Sequence, residues 1–185
     1  MITGLYYSQV AYSYRNSGYT YQDYDCIGFV NLCRSTAGIS YLPNGTNSLW
    51  RSNRLYWKGT IADCIAAYGQ IPQGALIFKC HPEGTPGYDT IPPQYYGDGI
   101  GNFTHVGIRT YLGQGVMQSG GYGGTGVHDS YYASSYWTHV GLADEIVYEG
   151  VPYTDIPQEL LIAYCFGFKS KNKLQRVIRD VRFFN

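Results

Sequence analysis

Charge is what this sequence has least of. Asp, Glu, Lys and Arg make up 14% of the 185 residues, and 13 cations balance 13 anions. A nucleic-acid-binding domain carries a basic face or stripe, and a chain at net zero without one is not built for a polyanion. The mildly basic tail between Lys169 and Arg182 is its one cationic cluster. Long apolar runs are missing too. No stretch approaches the ~20 apolar residues that cross a bilayer, so no membrane span is expected. Nor does a charged start followed by an apolar run mark a signal peptide. The expectation is a product made in the cytoplasm, which reaches any target outside the cell by export or release through other means. Paired cysteines are also missing. Cys26, Cys33, Cys64, Cys80 and Cys165 are an odd number with no Cys-x-x-Cys among them. Zinc sites show paired ligands at short spacing, so neither a metal nor another cofactor is expected. The set reads as a reduced protein with one chemically used thiol.

What is present is aromatic. Aromatics reach 17%, with 21 tyrosines, the reverse of the charge-rich, aromatic-poor balance of a disordered chain. The chain should therefore fold, and its length suits one domain with a real core. Tyrosine fills half-buried strand positions, where the ring packs and the hydroxyl stays wet. It also suits a polar aromatic groove for a glycan or a peptide.

The pattern along the chain predicts an α+β fold, with helices first and a sheet second, the helices on one face of an antiparallel sheet. Helices are expected near residues 6–14, from Asp25 or Cys26 to about Thr36 with Gly38 as cap, and over 60–68 with Gly69 as stop. Strands are expected over 75–80, 104–112, 115–119, 127–130 and 145–148. Residues 83–101, rich in Pro, Gly and Asp, form a loop long enough to serve as a lid, with Tyr95 and Tyr96 bordering a groove. Residues 1–150 form the domain. Residues 151–185 form a helical extension and are a candidate surface for self-association.

Three segments carry chemistry. The first is Asp25-Cys26-Ile27-Gly28-Phe29-Val30. A cysteine at a helix start faces unsatisfied backbone N–H groups and the positive end of the dipole, which favour its thiolate. Gly28 is read as room for another chain to approach. The commoner fate of a free thiol is burial as a small apolar group, and Cys33, seven residues on, is read that way. The second segment is Phe103-Thr104-His105-Val106-Gly107-Ile108. A histidine at the start of an apolar strand has its ring held as a general base needs. The third is Val116-Met117-Gln118-Ser119. On the next strand, Gln118 would lie beside His105, its amide oxygen fixing the imidazole tautomer. His128, with Asp129, is the rival for that third place. His81 beside Cys80 lacks a second ligand pair, and His139 near Trp137 reads as packing.

The order Asp-Cys-x-Gly-Phe-Val, Pro-x-Gly-Ala-Leu-Ile-Phe (72–78), His-Val-Gly-Ile (105–108) and a polar residue about a dozen positions on resembles the NlpC/p60 superfamily of cell-wall peptidases. The likeness spans residues 10–148. Residues 44–50 and 124–130 also resemble variants in phage and prophage lysins. The resemblance implies a papain-like core, a Cys-bearing helix on a small antiparallel sheet. It implies a cysteine peptidase acting on peptidoglycan stem peptides at the D-γ-glutamyl–diamino acid bond, with Cys26, His105 and Gln118 as the catalytic set. Asp25 with Tyr19 or Tyr21 would grip the substrate's free amine, and Tyr24 would be a further substrate-binding residue. Ile27 replaces the Ser that many members carry there, and the stretch over 13–22 matches the family poorly. The alternatives are a peptidoglycan amidase or acyltransferase on the same scaffold, or a wall-binding phage module that does not cut.

Overall fold

The computed structural model describes residues 1–87, 91–113, 115–120, 126–133 and 135–152. The proposed 151–185 extension lies almost wholly outside the described residues, as do residues 124 and 125 of the lysin-like stretch.

Helix α1 (Gly4–Ser13) follows a two-residue strand β1 (Ile2–Thr3), and the Thr3 side chain caps it by accepting from the Tyr6 N–H at 3.1 Å. Helix α2 (Cys26–Thr36) has Asp25 as its N-cap. Its C-cap is Ala37, and the left-handed Gly38 follows at φ 74°. A six-residue helix α3 (Thr46–Arg51) and a strand β2 (Leu55–Thr60) come next, before α4 (Ile61–Tyr68). In α4 the Thr60 and Asp63 side chains cap one another's backbone, and Gly69 ends the helix at φ 73°.

The remaining strands are β3 (Leu76–His81), β4 (Asn102–Arg109), β5 (Gly115–Gly120), β6 (Gly126–Tyr131), β7 (His139–Ala143) and β8 (Ile146–Val147). Strands β2 to β7 form a six-stranded antiparallel sheet in the order β2-β7-β3-β4-β5-β6. β1 and β8 form a separate parallel pair. The fold is α+β, but the helices do not all precede the sheet. β2 enters between α3 and α4 and takes an edge, and the strand expected over 145–148 leaves the main sheet to pair with β1.

Helix α2 packs on β4 and β5, and α1 packs on α2. Tyr7, Phe29, Val30, Cys33, Leu76, Phe78, Val106, Ile108 and Met117 are buried between these layers. Burying one such side chain is worth roughly 1.5–3 kcal/mol, so the helix–sheet seam is a main source of stability and fixes α2 over β4. The four cysteines among the described residues are free and buried. No helix among the described residues is long and apolar enough to cross a membrane.

Candidate active site

Cys26 is the first residue of α2. The Asp25 carboxylate accepts from the Gly28 N–H at 2.6 Å, which fixes the helix start and the direction of the Cys26 side chain. A Cβ on residue 28 would lie 2.9 Å from the Asp25 carboxylate oxygen. Gly28 is therefore needed for the cap, and not for the approach of another chain.

Cys26 is 6% exposed. Burial, and then the Asp25 carboxylate, push its pKa up to about 11, while the backbone N–H groups of Val106, Ile27 and Cys26 itself favour the thiolate. The helix start alone thus does not ionise the sulfur. Val106 is the residue after His105, so the α2–β4 packing brings the thiol to the strand that carries the imidazole.

His105 is the fourth residue of β4 rather than its start, and its Nε2–H donates to the Gln118 amide oxygen at 2.6 Å. The register places Gln118 opposite Gly107, diagonal to His105 and on the same face. With Nε2 holding the proton, Nδ1 carries the lone pair. The ring stacks on Trp137 at 5.5 Å and meets the edge of Tyr136 at 6.0 Å. Burial lowers the His105 pKa. The Gln118 hydrogen bond raises it, His128 lowers it and Asp25 raises it. Among the described residues no hydrogen bond joins the thiol to the imidazole. Burial disfavours the charge on both groups, and the imidazole's hydrogen bond goes to Gln118 instead of the thiol.

Helix α3 holds β4 in place. The Thr46 hydroxyl donates to the Phe103 carbonyl, and the Asn47 amide oxygen accepts from the Phe103 N–H at 2.9 Å. The Asn47 amide donates to Asn102 at 2.8 Å, and Trp50 stacks on Phe103 at 4.2 Å. The Asn-Gly-Thr-Asn-Ser-Leu-Trp segment therefore pins the strand two residues before His105. A β-bulge opposite Lys79 and Cys80 lies at the same place.

The segment 19–24 crosses the end of the sheet. The Tyr19 carbonyl accepts from the Val127 N–H at 3.0 Å, and the Tyr24 carbonyl from the Ser119 hydroxyl at 2.5 Å. Of the three candidate tyrosines, Tyr21 sits by the thiol. Its hydroxyl is pushed up by burial, then by Cys26 and Asp25. Tyr19 and Tyr24 meet edge to face instead, ring centroids 5.0 Å apart. Tyr24 lines a groove of 630 Å³ along the outer face of α2, with Gly28, Asn31, Leu32, Tyr41 and Leu42.

The rival third residue, His128, lies opposite Gln118 on β6 and bonds the Gly126 carbonyl through Nδ1 at 2.9 Å. Asp129 pairs with Arg15 at 3.2 Å rather than with His128. His139 packs against Trp50 and Phe103. Tyr95 lies under the Arg51 guanidinium at 4.5 Å, beside a small cavity at the start of α3, and Tyr96 is exposed. Among the described residues no group of three His, Cys, Asp or Glu side chains could hold a metal ion.

Sequence reasoning missed Tyr136, Trp137 and Lys79 around the imidazole. Only the aromatic pair before a strand signalled them. No family model matches the chain, and no curated protein is significantly similar to it.

Proposed function

We propose that this protein is a papain-like cysteine peptidase, akin to the NlpC/p60 superfamily, that cleaves peptide stems of bacterial peptidoglycan. The observation that carries the reading is a cysteine that begins a helix packed on the strand carrying an oriented histidine. Cys26 begins α2 against β4, and His105 on β4 is fixed by Gln118 with its other nitrogen left as acceptor.

In this reading His105 Nδ1 accepts the thiol proton as the sulfur adds to the scissile carbonyl carbon. The Cys26 N–H at the helix start holds the oxyanion, an effect worth ~3 kcal/mol per donor in comparable hydrolases. Collapse of the adduct breaks the C–N bond, and the imidazolium gives its proton to the leaving amine. Water then adds to the thioester with His105 as base, the C–S bond breaks, and the thiolate regains the proton. Because thiol and imidazole both start neutral, proton transfer accompanies attack instead of preceding it. Asp25 and Tyr21, both near Cys26, would take the amine of the acyl half. The D-γ-glutamyl–diamino acid bond is the proposed target, with a phage or prophage lysin as the setting.

The test is digestion of purified walls of several chemotypes, with fragments identified by mass spectrometry. Wild type should release new stem-peptide termini at that bond, and Cys26→Ala should release none. Failure of wild type on every wall type overturns the peptidase reading. An amidase or an acyltransferase on the same scaffold leaves different ends. A second reading, a wall-binding module without catalysis, draws on the nearly closed, protonated Cys26. It requires an inactive wild type and equal sedimentation with walls by wild type and Cys26→Ala.

A further inference from the structure

The flank of His105 away from Gln118 is built as well. Lys79 on β3 is the direct cross-strand partner of His105, so the two side chains leave the sheet on the same face. The Lys79 ammonium lies over the Tyr136 ring at 5.3 Å, and the same ring meets the imidazole at 6.0 Å. Two hydrogen bonds that bracket Lys79 fix this wall. The Thr138 N–H donates to the Phe78 carbonyl at 2.9 Å, and the Cys80 N–H donates to the Thr138 hydroxyl at 2.8 Å. They clip the segment carrying Tyr136 and Trp137 onto β3. None of the ion pairs among the described residues uses Lys79, although the chain elsewhere pairs Arg15, Arg34, Arg51 and Arg54 with carboxylates. Lys79 is half-buried and its ammonium is held by an aromatic face, an arrangement that leaves its charge available to an incoming anion.

We propose that Lys79, held by Tyr136, is a specificity-determining residue that binds a carboxylate on the leaving half of the substrate. The inference rests on the peptidase reading. His105 protonates the leaving amine, so the residue bearing that amine lies by the imidazole, and Lys79 stands on its flank away from Gln118. A diamino acid with a free carboxylate satisfies this cation, whereas its amide, or a lysine in its place, does not.

The experiment uses two synthetic stem peptides identical except that the leaving residue carries a carboxylate or its carboxamide. Wild type should prefer the carboxylate about tenfold in kcat/KM, and the preference should shrink as salt is raised. Lys79→Met should cleave both equally, and Lys79→Arg should restore most of the preference. The same pair is titrated calorimetrically into Cys26→Ala and Cys26→Ala/Lys79→Met. There the carboxylate peptide should bind about tenfold tighter to the first protein only. An unchanged ratio in the Lys79→Met proteins overturns the assignment. If wild type cleaves neither peptide, the peptidase reading falls, and the binding ratio alone then decides the carboxylate site.

Discussion

The Cys26 sulfur is where two electrostatic tendencies meet. The helix start and the Val106 N–H favour the thiolate, and burial with Asp25 opposes it. Burial and Asp25 win, with a pKa of about 11, so roughly one molecule in ten thousand carries the thiolate at pH 7. Alkylation of Cys26 by iodoacetamide, followed on its own tryptic peptide, should rise about tenfold per pH unit from pH 7 to 10. A plateau below pH 8 would mean instead a preformed thiolate–imidazolium pair. The residue types and order at 26, 105 and 118 were readable because each sits beside a local signal, a cap or an apolar strand. The thiol's environment was not readable, because it depends on β4 closing over it from about eighty residues away.

At the scale of elements, α2 is the part most legible in the sequence. The apolar pattern after Asp25 marks the helix and brings its start to within one residue, with Asp25 as the cap. The elements that escaped include the two-residue β1, and also α3, β2 and β7. Six residues are too few for α3 to show a helical period. β2 carries Lys58 and Gly59, and β7 carries Gly141, where a Cβ would lie 2.9 Å from Leu55. Glycine in a strand hides the alternation that marks one, even where close packing demands it. The α2 cap also separates two effects of a single carboxylate. Asp25→Asn keeps an acceptor for the Gly28 N–H but removes the charge. It should leave stability within a few tenths of a kcal/mol and speed Cys26 alkylation at pH 8 roughly three- to tenfold. Asp25→Ala should speed alkylation similarly and cost about 1 kcal/mol of stability. Chemical denaturation and the same peptide assay read the two quantities independently. Equal stability losses in both variants would show that the carboxylate charge, rather than the cap, holds the helix start.

At the scale of the molecule, one buried cation ties α2 to the far end of the chain's described part. Arg34, in the last turn of α2, is fully buried and pairs with Asp144 at 3.2 Å and Glu145 at 3.0 Å in the turn between β7 and β8. Arg54 and Ser40 join the same carboxylates. Glu145 keeps a left-handed backbone, φ 63°, that only a few non-glycine residues adopt. The network fixes that strain and sets β8 against β1, next to the start of α1. Burial raises the Glu145 pKa, but the Ser40 hydrogen bonds and the two guanidiniums outweigh it and hold the carboxyl below its ordinary 4.5. A depressed carboxyl stabilises the fold above its unfolded pKa and withdraws that support as pH falls through the folded one. Arg34→Met should therefore cost about 3 kcal/mol at pH 7, the lower end for breaking a buried pair, because Arg54 still serves both carboxylates. The loss should shrink below pH 4.5, where wild type surrenders the same interaction. Urea denaturation of both proteins from pH 3 to 7 reads the difference. A pH-independent gap would assign Arg34 to packing through its stem instead of to charge.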